Sequence, residues 1–177
     1  MNRVFFRAEA LPLPPWTKKA GDFVKKVLKT LKFTNWEVSV LFCDNKYIKS
    51  LNAQYRNKDE PTDVLSFNLG EIVDGRYLAG DIVVSLEAVN ENARFFKVSE
   101  DEELRRLLVH GILHLSGEDH ATNKAEESML KTQEEILARL EGELMRPFGP
   151  RTERNGVDCP LPRAAGQPPN SVQENVP

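Results

Sequence analysis

A chain of 177 residues, 40% hydrophobic and 29% charged, is long enough to bury one core of ordinary domain size. Its 24 Lys and Arg stand against 27 Asp and Glu, a net charge of −3, which argues against a nucleic-acid binder held mainly by counterion release. Any such contact must be local. No apolar run approaches the roughly 18 residues of a membrane span, and charge and proline interrupt MNRVFFRAEALPLPP before a signal-peptide core can form. Cys43 and Cys159 have neither the count of a disulfide framework nor a metal-ligand spacing. The expectation is a soluble, unexported protein of a reducing cytoplasm.

In chain order, Val4 to Arg7 reads as a short strand closed by Pro12, Pro14 and Pro15. Trp16, Ala20, Phe23, Val24, Val27, Leu28 and Leu31 recur at helical spacing, with lysines mostly on the other faces as a solvated surface rather than an RNA stripe. Glu37 to Phe42 alternates as a strand. Asp44 then caps a helix that buries Ile48, Leu51 and Tyr55. Asp63 to Asn68 and Asp81 to Ser85 are two more strands, joined through a turn at Asp74 and Gly75. Four strands make a sheet.

The second half is helical. Leu86 to Phe96 forms a short helix, and Ser99 with Glu102 gives the capping box of the next one, anchored by Leu104, Leu107, Leu108, Ile112 and Leu115. Gly117 stops it where a left-handed residue is wanted. Asn123 and Glu126 open a final helix with an apolar stripe of Met129, Ile136, Leu137, Leu140 and Leu144. Seven of the eleven prolines lie in residues 147–177, where periodicity is lost. The expected organisation is one domain over residues 1–146 and a disordered Pro-rich tail over residues 147–177.

All three histidines fall within HGILHLSGEDH, residues 110–120. His110 and His114, four apart on a helix, project from one face at a separation that suits a single metal ion. Gly117 lets the backbone reverse so that His120 can supply a third nitrogen. Three neutral imidazoles leave a fourth tetrahedral position for water, the arrangement of a catalytic zinc. The spacing is that of metzincin peptidases, whose general-base Glu follows the first His; here that residue is Gly111, which makes a peptidase the weaker reading. Glu118 and Asp119 could substitute for that base in principle, but read more readily as loop acids or as partners that orient a histidine.

HGILHLSGEDH resembles the signature of the YbeY family of metal-dependent ribonucleases. NAQYRNKDEPTDVLSF, residues 52–67, and AGDIVVS, residues 79–85, resemble two further segments of that family in the same order. The resemblance implies an α+β fold in which a mixed four-stranded sheet packs with helices, and a three-histidine metal site at the end of a central helix. It also implies one Zn²⁺ per chain held by His110, His114 and His120. The implied activity is single-strand-specific endoribonuclease action in small-subunit (16S) rRNA maturation and ribosome quality control. Single-stranded RNA, the small ribosomal subunit and its assembly factors are the implied partners, with no membrane and no DNA. The family's functional arginine maps onto Arg56, whose guanidinium can fork onto phosphate oxygens, and Arg56 with His114 forms the implied catalytic pair. Asn68 stands where the family often has proline, and the tail has no counterpart in the common pattern. A zinc-stabilised, non-catalytic ribosome assembly factor is the alternative, and a metallopeptidase the weaker one. Thr62, Asp63 and Asp81 are read as strand or turn residues as readily as partners of the site.

Overall fold

The computed structural model describes residues 1–118, 128–141 and 175–176. The elements run β1 (Arg3–Ala8), α1 (Thr17–Thr30), β2 (Trp36–Cys43), α2 (Asn45–Arg56), β3 (Val64–Val73), β4 (Arg76–Ser85), α3 (Leu86–Phe96), α4 (Glu100–Leu115), α5 (Ser128–Arg139) and β5 (Asn175–Val176). The fold is α+β. Strand order is β1-β2-β4-β3-β5, with β1 parallel to β2, β2 parallel to β4 and β3 antiparallel to β4. The expected four mixed strands form the body of the sheet. The two-residue β5 adds a fifth beside β3. His120, Asn123, Glu126 and Leu144 lie outside the described residues, as do positions 147–174 of the expected tail.

Side-chain alternation along the strands decides which helix covers which face. Val38, Val40 and Phe42 of β2 and Ile82 and Val84 of β4 point to one side, where they meet α1 through Phe23, Val27 and Leu28 and α4 through Leu104, Leu108 and Ile112. Leu65 and Val83 point to the other side and pack with Cys43 and Ile48, bordered by Leu51 and Phe67. Each fully buried Phe or Leu contributes about 1.5–3 kcal/mol, so the first side, with most of the large side chains, carries most of the core.

Caps work as the sequence predicts. The Asp44 carboxylate accepts from Tyr47 N–H at 2.7 Å to open α2, and Ser99 Oγ accepts from Glu102 N–H at 3.0 Å to open α4. The β3–β4 hairpin is longer than its predicted strands. Asp74 and Gly75, with φ of 50° and 73°, form a tight two-residue turn, and the ladder reaches it on both sides. Residues 68–73 are all exposed, so the β3 side of this outer ribbon carries no alternating pattern by which to recognise it.

Candidate metal centre

Helix α4 is buried on nearly all sides: twelve of its sixteen residues are shielded from water, among them His110 and His114. Gly111 makes that depth possible. A Cβ at residue 111 would lie 2.8 Å from Ile82 Cγ2, so glycine lets the helix press directly onto β4. The position is therefore closed to the carboxylate that a metzincin-type peptidase would need there. At the far end, Gly117 N–H donates to His114 O at 3.0 Å and Glu118 N–H to Leu113 O at 3.1 Å, with Gly117 at φ +87°. This paired closure turns the chain back immediately after the second histidine, as the sequence predicts.

The two imidazoles converge. Their Nε2 atoms are 2.9 Å apart, their ring centroids 4.6 Å apart, and their side chains are 1% and 2% exposed. Tetrahedral zinc, with Zn–N of about 2.0–2.1 Å, holds ligand nitrogens about 3.3 Å apart. A shift of a few tenths of an ångström would seat such an ion between them, so the pair fits two ligand positions of a metal site. His110 Nδ1 faces Gln133 Oε1 of α5 at 2.8 Å. Among the described residues no cluster of three or more metal-donor side chains is present; His120 and Asp119 fall outside them. Glu118 is described, and its partial burial raises its pKa.

Arg56 occupies the last turn of α2, which closes through Asn57 in the left-handed region, with Lys58 N–H donating to Asn52 O at 3.3 Å. Asn52 Nδ2 also donates to Glu60 O at 2.9 Å, tying down the loop that follows. The arginine is half-buried and its Nη2 is sealed from water. Helices α2 and α4 cover opposite faces of the sheet, so Arg56 and the histidines belong to different layers that share β3 and β4 as neighbours.

The loop from α2 delivers Thr62 and Asp63 into a second polar cluster, completed by residues distant in sequence. Asn92 of α3 donates one amide nitrogen to Asp63 Oδ2 at 3.0 Å and to Glu103 Oε1 at 3.1 Å, and all three side chains are buried. Burial first, and the nearby Glu103 carboxylate second, push Asp63 up to about 7, although hydrogen bonds from Val64 N–H and Asn92 act in the opposite direction. Glu103 stands two helical turns before His110 on the same side of α4. Asp81 is half-exposed in β4 and alternates with Ile82, which faces α4, so it lies on the side away from the histidines. Gln133, Asn92 and Glu103 share one recognisable signal, a polar residue placed within an apolar helical stripe.

The sequence profile described as Endoribonuclease YbeY matches residues 7–141. An Endoribonuclease YbeY of Treponema denticola is 53% identical over 124 residues, spanning 67% of this chain and 80% of its own length. The Endoribonuclease YbeY of Treponema pallidum is 45% identical over 144 residues, spanning 78% and 90%. The solution structure of TM1509 from Thermotoga maritima is similar with a TM-score of 0.52 and 34% identity, covering 81% of this chain and 91% of that one. No described helix is long and apolar enough to cross a membrane.

Proposed function

The chain belongs to the endoribonuclease YbeY family, and on that premise we propose that it is a zinc-dependent endoribonuclease acting on single-stranded RNA. Its place is cytoplasmic small-subunit rRNA maturation and ribosome quality control. The observation that carries the metal reading is the convergence of two buried imidazole nitrogens at 2.9 Å. His110 and His114 hold one zinc per chain, and His120 is the third ligand. When bound, zinc supplies Lewis acidity to the phosphodiester. Arg56 engages the scissile phosphate, where a permanently charged, forked donor stabilises charge that develops in the transition state. His114 acts from the α4 layer and Arg56 from the α2 layer. Gly111, pressed against Ile82, supports the nuclease over the peptidase.

The test is cleavage of single-stranded RNA by the purified protein, with and without chelator, alongside elemental analysis. One zinc per chain is expected, lost when any of the three histidines becomes alanine. Arg56→Ala should keep fold and zinc while cleavage falls about a hundredfold to a thousandfold, the range for one preorganised charge stabiliser. Full cleavage by that variant would remove Arg56 from the mechanism. Zinc-dependent peptide hydrolysis by the wild type would restore the peptidase. Binding of ribosomal particles without any cleavage would favour the assembly factor. Product ends identify the nucleophile, since attack by the ribose 2′-hydroxyl leaves a cyclic phosphate and attack by water does not.

A further inference from the structure

Gln133 is a polar residue in the apolar stripe of α5, 5% exposed between Met129 and Ile136, which are themselves buried. Its amide has one orientation consistent with its neighbours. Nε2 lies 3.2 Å from Glu134 Oε1, a carboxylate oxygen that only accepts, so the amide nitrogen must face that way. Glu134 is held in turn by Arg106 of α4, which also reaches Glu102 at 3.7 Å. The carbonyl oxygen of Gln133 therefore points at His110 Nδ1, 2.8 Å away. A carbonyl cannot donate, so His110 must carry a hydrogen on Nδ1. In the neutral ring this leaves the lone pair on Nε2, the nitrogen aimed at His114 Nε2.

We propose that Gln133 is the positioning residue of this centre: its carbonyl locks His110 in the Nδ1–H tautomer and fixes the ring so that Nε2 is presented to a metal ion. The proposal rests on the zinc reading above. Without that lock a buried imidazole is free to carry its hydrogen on Nε2, where it blocks coordination. Partners of this kind are worth about tenfold to a hundredfold in metal affinity. The Arg106–Glu134–Gln133 relay makes α5 part of the site rather than a cover over the core, because α4 and α5 must hold their relative register for the hydrogen bond to form.

The test uses the full chain, with zinc affinity measured by competition against a chromogenic chelator and the tautomer of His110 read by ¹⁵N NMR in metal-free protein. Gln133→Met, which keeps length but is at most a weak acceptor, should bind zinc about tenfold to a hundredfold more weakly. Gln133→Glu, which still accepts from Nδ1–H although it loses the contact with Glu134, should bind zinc more tightly than Gln133→Met. A purely packing role would not distinguish the two variants in this order. Metal-free wild type should show hydrogen on Nδ1 of His110, and this measurement decides the matter even if Gln133→Met does not fold. Hydrogen on Nε2 in the wild type, or unchanged affinity in Gln133→Met, overturns the role of Gln133 while leaving the metal centre standing. A wild type that takes up no zinc overturns the centre itself and this proposal with it.

Discussion

Asp63 and Gly111 show how two single residues are tuned to the interior around α4. Buried Asp63 has its pKa raised from the ordinary carboxylate value of 3.8 to about 7, so the folded chain holds a proton that the unfolded chain has already lost. Its contribution to stability is thus complete below about pH 4 and is lost as pH rises through about 7. Urea melts between pH 5 and pH 8 should show stability falling with pH. The slope should flatten in Asp63→Asn, which cannot ionise; an equal slope in both proteins would show that Asp63 is ionised throughout. At Gly111 two effects oppose each other. Alanine gains about 1 kcal/mol of helix propensity, but its Cβ meets Ile82 at 2.8 Å, and overpacking of that kind costs about 1–3 kcal/mol. The clash should win, leaving Gly111→Ala about 1 kcal/mol less stable in chemical denaturation. Combining it with Ile82→Ala should cost less than the sum of the two single changes, because the first fills the space the second opens.

Elements were legible wherever local chemistry acts within a few residues. Asp44, Ser99 and Gly117 announce helix ends because a side-chain oxygen or a left-handed backbone satisfies nearby groups. The same logic made the His110–His114 spacing readable, since one helical turn brings their rings together. What stayed hidden depends on partners distant in sequence. Gly80, at φ +139°, leaves no room for a Cβ, which would sit 2.0 Å from Phe67 O, yet nothing adjacent to Gly80 in sequence reveals that neighbour. Gln133 and His110 are 23 residues apart, and Asn92 touches carboxylates 29 residues before it and 11 after it. The outer half of the β3–β4 hairpin is hidden for a different reason: on β3 residues 68–73 are all exposed and show no hydrophobic period, and on β4 Tyr77 and Ala79 turn to the core in a stretch too short to show one.

At the scale of the whole molecule, the match to the family profile ends at residue 141, and most of the Pro-rich stretch lies beyond the described residues. Three arginines and three acids in residues 147–177 (Arg151, Arg154 and Arg163 against Glu153, Asp158 and Glu174) cancel, giving this stretch no net attraction for RNA phosphates. Its described contact with the domain is short: Asn175 pairs with Ser66 and Val176 with Phe67 on the outer side of β3. A few backbone hydrogen bonds contribute about 1 kcal/mol each, and ordering each residue costs about 1–2 kcal/mol, so the pairing is close to neutral. Deleting residues 147–177 should therefore move the thermal midpoint by no more than a few degrees, since about 1 kcal/mol corresponds to about 2–8 °C for a domain of this size. Zinc content and RNA cleavage should be unchanged. A fall of many degrees would show that the stretch docks on the core more extensively than through β5. An unchanged midpoint with weakened association with ribosomal particles would make it a partner-binding segment, because the domain would then keep its stability and lose only a contact made outside itself.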